Sequence, residues 1–177
     1  MILNETQARE QSVLDVARAM MVAARTAPKA KGVDIQEIVT VSGDDLTRLA
    51  AKMRELSDEF GFKFFLRDAL NVEQAQAVVL IGTRARVQNL NCGYCGSATC
   101  GEKPEAVPCY FNTVDIGIAV GSACSVAMDA RVDTRVMYSA GVSARRLGLI
   151  SDCDGVLAIL LSCSSKSPFF DRVFEHK

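Results

Sequence analysis

The sequence contains no tryptophan and only one histidine, His176, next to the C-terminal residue. A hydrolytic site that pairs cysteine with histidine is therefore not expected, and His176 is predicted to lie in a solvated tail. The scattered carboxylates form no recognisable acid–base or nucleophilic constellation, and they are better explained as helix caps and turn formers. No catalytic residue is assigned from the sequence.

Charge of one sign and long apolar runs are also lacking. The 177 residues carry 20 basic and 21 acidic side chains, which leaves a formal net charge of −1. The basic stripe and the aromatic platform typical of nucleic-acid binders are missing. No run reaches ~18 consecutive apolar residues, and the N-terminus soon becomes polar, so neither a membrane span nor a signal peptide is indicated. We expect a cytoplasmic protein that binds neither nucleic acid nor membrane.

Cysteine, by contrast, is concentrated in one place. Four of the seven cysteines share the glycine-rich stretch NCGYCGSATCGEKPEAVPCY with the spacing C-x2-C-x4-C-x8-C; they are Cys92, Cys95, Cys100 and Cys109. Thiolates select iron–sulfur clusters, zinc or Cu(I). The odd total and the lack of a secretory signal argue against disulfides. An iron–sulfur cluster is favoured because four-cysteine zinc sites usually present two C-x2-C pairs, whereas this stretch has one. Zinc stays as the alternative because four-cysteine zinc sites are common.

Glycines beside these cysteines support a metal site. Gly93, Gly96 and Gly101 each neighbour a candidate ligand, where a tight loop needs positive φ and must turn backbone N–H groups toward sulfur. The remaining cysteines lie outside this stretch and are expected to be small buried hydrophobes; they are Cys124, Cys153 and Cys163.

Apolar periodicity predicts one domain, 1–177, in which helices pack on a central sheet and a cluster-binding loop occupies 90–110. The segment 62–71 is ambiguous. The predicted helices are Asn4–Ala27, one capped by Asp44 or Asp45 and ending near Phe60, one capped by Asn112 or Thr113 and ending near Ala130, and Val142–Leu149. The predicted strands are Ile35–Val41, Ala77–Gly82, Arg135–Tyr138 and Val156–Leu161.

Several segments, taken in order, resemble a family. AARTAPKAKGVD (Ala23–Asp34), DIGIAVGSACSVAMDA (Asp115–Ala130) and YSAGVSARRLGL (Tyr138–Leu149) are similar to segments of a shortened flavin nitroreductase, and the likeness spans residues 5–165. Together with the cysteine-rich stretch, the chain resembles bacterial and archaeal proteins labelled ferredoxin-domain-containing. CGYCGSATC (Cys92–Cys100) resembles the [4Fe–4S] motif CGxCGxxxC.

The resemblance implies an α+β, nitroreductase-like fold whose central mixed sheet is flanked by helices. It implies a homodimer joined through the helix from Asn112 to Ala130, and a [4Fe–4S] cluster on the four cysteines. FMN is implied as a second candidate cofactor in a groove beside the dimer interface. Its phosphate would meet Arg25, Lys29, Lys31 and Lys166, and its ring would meet Ser139, Ala140 and Gly141.

The chain departs from the nitroreductase pattern in two places. It starts after the arginine-rich strand that grips the flavin phosphate, and Pro28–Gly32 replaces a stretch that contacts the flavin ring. Cys109 also follows Cys100 sooner than the fourth cysteine does in related cluster domains.

Two classes of function follow. The first is an iron–sulfur redox protein, either an electron carrier or an oxidoreductase, that exchanges electrons with a partner protein or a small-molecule acceptor. The second is a non-catalytic domain whose loop is stapled by a structural metal, zinc or iron–sulfur, for docking or sensing.

Overall fold

The chain forms one four-stranded sheet with helices on both faces. The computed structural model describes residues 2–171, so the tail predicted at His176 lies outside them. In chain order the elements are α1 (Glu5–Thr26), β1 (Gln36–Ser42), α2 (Asp44–Phe60), α3 (Phe64–Gln74), β2 (Ala77–Thr83), α4 (Tyr110–Asp129), β3 (Asp133–Met137), α5 (Tyr138–Arg146) and β4 (Gly155–Ser162).

The sheet has the strand order β1-β2-β4-β3, and every neighbouring pair is antiparallel. The α+β class is confirmed, but the sheet is antiparallel and not mixed as the sequence suggested. The reason lies in the crossover through α4. It returns the chain so that β3 runs parallel to β2, and β4 then occupies the position between them. The parallel strands are therefore never neighbours.

Two apolar cores lie on opposite faces of the sheet because successive side chains of a strand alternate in direction. Val78 and Leu80 of β2 face α2, α3 and α5, while Val79 and Ile81 face α1 and α4. All seven residues of β2 are buried. The strand that leads into the cysteines is thus fixed from both sides.

The first helix follows its sequence pattern closely. Asn4 is the N-cap of α1, and its Oδ1 accepts a hydrogen bond from the Thr6 N–H at 2.9 Å. The apolar stripe of this helix is buried at Val13, Ala17, Met20 and Ala24, whereas Val16 is only half-buried. Local capping and one apolar stripe are enough to define this helix.

Two helix starts differ from the prediction. The N-cap of α2 is Gly43, whose φ of 62° suits glycine, and neither Asp44 nor Asp45 caps with its side chain. The helix α4 begins earlier than predicted, after Cys109. Asn112 does not cap it, because its Nδ2 donates to the carbonyl oxygens of Arg84 and Arg86 instead.

One face of α4 packs on the sheet and the other lies open. Ala119, Ala123 and Ala127 are fully buried, while Ile118 is 40% exposed and Met128 is 62% exposed. By length and composition alone, α4 is the one helix in residues 2–171 that could cross a membrane, a test that apolar core helices also pass. Within a single chain, α4 is therefore buried on only part of its surface.

Candidate metal centre and the adjoining groove

The four clustered cysteines lie in a long connection between β2 and α4, residues 84–109, here called the cysteine loop. Asn112, which is buried, ties down the start of this loop by donating to the Arg86 carbonyl oxygen at 2.7 Å. Its Oδ1 accepts from the Nε2 of the buried Gln88 at 3.0 Å. Lys31 in turn donates to the Gln88 carbonyl oxygen at 3.0 Å. Buried amides therefore fix the beginning of the loop against α4.

The backbone around the first cysteines is tightly turned. Gly93 and Gly96 have φ values of 73° and 87°, and the Gly96 N–H donates to the Gly93 carbonyl oxygen at 2.9 Å. These glycines have the positive φ that the sequence predicted. Gly101 does not, because it lies inside the 3₁₀ turn Cys100–Glu102. The Cys92–Gly96 segment is thus a compact turn that needs glycine at two positions.

Backbone N–H groups point at two of the sulfurs. The Asn91 N–H donates to the Cys100 Sγ at 3.3 Å, while the Asn91 Oδ1 accepts from the Cys100 N–H at 2.8 Å. A backbone hydrogen bond from Ser97 lowers the pKa of the Cys95 thiol. Such bonds favour the thiolate, which is the form that binds a metal.

Cys109 lies at a different kind of position. It is the N-cap of α4, a helix of 20 residues, and its carbonyl oxygen accepts from the N–H groups of Asn112 and Thr113. The N-terminal end of a helix carries partial positive charge, which stabilises a nearby thiolate. All four cysteines are partly exposed, unlike the fully buried Cys153. They are accessible donors.

The four side chains do not form a closed ligand set in this structure. Within residues 2–171, no group of three or more His, Cys, Asp or Glu side chains is arranged to hold a metal ion. Their chemistry nevertheless fits a soft centre: four thiols in one loop, N–H groups directed at two of them, and a helix N-terminus at a third. Cys92, Cys95, Cys100 and Cys109 could hold such a centre only if the loop draws them together.

The other three cysteines only partly match the expectation that they are buried. Cys153 is buried, as predicted, and packs on Gly82, where a Cβ would lie 2.5 Å from its sulfur. Cys124 and Cys163 are half-buried. Burial raises the pKa of the Cys124 thiol, which keeps it protonated and unreactive.

An aromatic cluster connects the turn at the first two cysteines to the residues that follow the last cysteine. The rings of Tyr94 and Tyr110 have centroids 5.1 Å apart, and Phe111 lies 5.7 Å from Tyr110. Tyr94 stands between Cys92 and Cys95, whereas Tyr110 follows Cys109. Sequence reasoning missed this contact, although the adjacency of both tyrosines to candidate ligands was a signal for it. The cluster holds the first turn of the loop near its last cysteine.

A groove of about 970 Å³ lies beside the cysteine loop, and Cys109 is part of its wall. Its other walls come from the end of β2, from α5 and from the start of β4. Five basic and two acidic side chains line it: Arg84, Arg86, Lys103, Arg145, Arg146, Glu105 and Asp154. Sequence reasoning did not identify this groove, because its cations come from separate parts of the chain.

Two buried polar side chains next to this groove lack partners. Gln36 and Thr83 face each other across β1 and β2 and are each 5% exposed. Neither the amide group of Gln36 nor the hydroxyl of Thr83 makes a hydrogen bond within the described chain. Leaving such a group unpaired costs about 1–3 kcal/mol. Thr83 also lines the groove.

The residues predicted to hold a flavin phosphate are engaged within the chain. Lys29 donates to carbonyl oxygens at the end of α1, including that of Arg25 at 2.6 Å. Arg25 pairs with Asp34 at 2.6 Å. Lys31 binds the Gln88 carbonyl oxygen, and Lys166 pairs with Asp171 at 2.6 Å. All four side chains are therefore already bound to groups of the chain itself.

The residues predicted to meet the flavin ring form the first turn of the helix α5. Ser139, Ala140 and Gly141 are buried, and the Ser139 hydroxyl donates to Asp68 Oδ2 at 2.6 Å. They pack on the sheet face that carries α2 and α3, whereas Lys29 follows α1 on the other face. Lys166 follows the C-terminal end of β4. Lys31 instead contacts Gln88, which follows the end of β2 that pairs with the start of β4. Within one chain, the seven predicted contacts do not share a groove.

Comparison with solved structures shows a nitroreductase-like fold. A nitroreductase with bound FMN from Desulfitobacterium hafniense DCB-2 matches with a TM-score of 0.57 and 13% identity, over 93% of this chain and 92% of that one. The hypothetical oxidoreductase YcnD from Bacillus subtilis matches with a TM-score of 0.53 and 14% identity, over 86% of this chain. The chain spans 58% of the length of YcnD. At these identities the similarity shows only the fold.

Sequence relatives are closer. A protein of Archaeoglobus fulgidus described as "Uncharacterized protein" is 43% identical over 182 residues, which cover 97% of this chain and 98% of that protein. Residues 105–172 match the family described as "Uncharacterized protein containing a ferredoxin domain (DUF2148)", a match that includes Cys109. The chain belongs to this ferredoxin-domain family and has a nitroreductase-like fold.

Proposed function

We propose that the chain is an iron–sulfur redox protein that holds one [4Fe–4S] cluster on Cys92, Cys95, Cys100 and Cys109 and transfers electrons. The observation that carries the proposal is the conformation of the cysteine loop, in which backbone N–H groups already turn toward the sulfurs of Cys95 and Cys100. A bound cluster would supply one-electron chemistry. Membership of a ferredoxin-domain family and the nitroreductase-like fold support a redox role.

The residues of this chain would hold and tune such a centre. N–H donors from Asn91 and Ser97 stabilise negative charge on sulfur, and hydrogen bonds to sulfur are one factor that sets a cluster's reduction potential. The rings of Tyr94 and Tyr110 pack edge to face and so connect the turn at the first cysteines to the residue after the last one. Electron paramagnetic resonance of anaerobically purified, chemically reduced protein tests this function. A cluster signal is expected, and a protein without any reducible iron–sulfur signal would contradict the proposal.

We also propose a homodimer joined through the open face of α4. Small and apolar residues repeat along this face at helical spacing: Gly117, Ile118, Gly121, Ser125 and Met128. Small residues permit close approach of a second backbone, and an isologous interface would bury both copies of the face at once. The dimer would then offer two equivalent electron-transfer sites to its redox partner, whether that is a protein or a small-molecule electron acceptor.

Ile118→Arg is expected to convert the dimer to a monomer, because an unpaired charge would be buried at the centre of the proposed interface. Light scattering should give twice the 19.1 kDa chain mass for the unmodified protein and a single chain mass for the variant. Leu70→Arg on α3, where Leu70 is 55% exposed, is the matched control and should leave the dimer intact. Unmodified protein that is monomeric at micromolar concentration would contradict the proposal.

A second candidate function is a flavoenzyme that also binds FMN. The observation that favours it is the fold similarity to a nitroreductase with bound FMN. Because the predicted contacts are separated within one chain, an FMN site built from them needs residues of two copies. FMN affinity, measured by quenching of flavin fluorescence, should therefore be lost in the monomeric Ile118→Arg variant and kept in Leu70→Arg. No quenching with the unmodified protein would discard this candidate.

A further inference from the structure

We propose that the groove beside the cysteine loop is a binding site for a small organic anion with a flat apolar body, anchored by Arg86. None of the seven residues predicted to contact a flavin lines this groove. The proposal rests on the side chains of the described residues alone and does not require the cluster.

The size and walls of the groove suit a small molecule. Its volume of about 970 Å³ lies within the range of small-molecule sites, which are mostly apolar with a few placed polar groups. Val107 comes from the cysteine loop, Tyr138 and Val142 from α5, and Leu157 from β4. These side chains provide apolar surface on more than one wall, so a flat ring can be covered on both faces.

The charge of the lining selects for an anion. Five of its side chains are basic and two are acidic, although the whole chain is nearly neutral. Most of these cations already have partners: Arg84 pairs with Glu37 at 3.3 Å, Arg146 with Glu59 at 3.7 Å, and Arg145 donates to the Asp154 carbonyl oxygen. The guanidinium of Arg86 makes no ion pair and no hydrogen bond within residues 2–171. It is free to bind a carboxylate, sulfonate or phosphate through two N–H groups.

The test uses two probes that share one aromatic body and differ in charge: 8-anilinonaphthalene-1-sulfonate and the neutral N-phenyl-1-naphthylamine. Calorimetric titration of the anaerobically purified protein should show the sulfonate binding at least about tenfold more tightly than the neutral probe, as expected for a charge-assisted hydrogen bond. Arg86→Gln should abolish this preference and leave binding of the neutral probe unchanged. Arg131→Gln is the matched control: Arg131 is exposed, is unpaired among residues 2–171, and lies by the end of the sheet away from Thr83.

The proposal is overturned if Arg86→Gln and Arg131→Gln bind the sulfonate equally well, or if the two probes bind the unmodified protein with the same affinity.

Discussion

Replacing Cys95 with serine is expected to remove most of the iron from the anaerobically purified protein. A serine hydroxyl is a much poorer ligand for iron than a thiolate, and Cys95 is the candidate ligand whose thiol pKa is lowered, chiefly by the backbone hydrogen bond from Ser97. We expect the affinity for the centre to fall by at least about tenfold, the lower range seen when even supporting residues of metal sites are changed. Iron analysis and the visible absorption spectrum measure the effect.

Cys124→Ser is the matched control for this experiment. Cys124 lies on α4, outside the cysteine loop, and burial raises the pKa of its thiol. The variant should keep its iron and show at most a modest change in stability. Equal loss of iron from both variants would mean that the ligand set is drawn wrongly. Intact iron in Cys95→Ser would remove Cys95 from it.

Gly141→Ala is expected to destabilise the fold severely. A Cβ at this position of α5 would lie 2.1 Å from the carbonyl oxygen of Val156 in β4, and the nearest atoms are all backbone atoms of β4, which cannot move aside as a flexible side chain can. Overpacking typically costs about 1–3 kcal/mol of the free energy of unfolding, and a clash with backbone atoms belongs at the upper end of this range. A urea titration should show a lower midpoint, or no folded baseline at all.

Gly155→Ala, in β4, is the control for Gly141→Ala. A Cβ there would meet only the Thr83 Cγ2, at an ordinary 3.8 Å, so the urea midpoint should change little. If Gly141→Ala unfolded at the same urea concentration as the unmodified protein, the close approach of α5 to β4 would be refuted. That result would also reopen Ser139–Gly141 as a flexible turn able to meet a ligand.

The sequence predicted those elements whose signals are local. The helix α1 has an Asn4 cap and one apolar stripe, and β2 is a continuous apolar run, so both were located to within a residue or two. The start of α5 was missed because the run from Tyr138 to Gly141 has no apolar period. Its conformation depends on distant partners, namely Asp68 for the Ser139 hydroxyl and Val156 for the close approach at Gly141.

The candidate site, too, was predicted only where its signal is local. The spacing of the four cysteines defined the loop from sequence alone, because a loop's own glycines and cysteines carry that signal. The aromatic contact between Tyr94 and Tyr110 and the convergence of cations in the groove depend on how the loop folds back on α4 and α5. Sheet order was equally out of reach, because nothing local indicates that β4 inserts between β2 and β3.

The most direct test of the proposed iron–sulfur centre is the metal and sulfide content of the unmodified protein, purified without exposure to oxygen. We expect ~4 iron and ~4 acid-labile sulfide per chain, with a brown colour that fades on reduction. One zinc per chain with neither iron nor sulfide would contradict the redox function and would instead support a loop stapled by a structural metal.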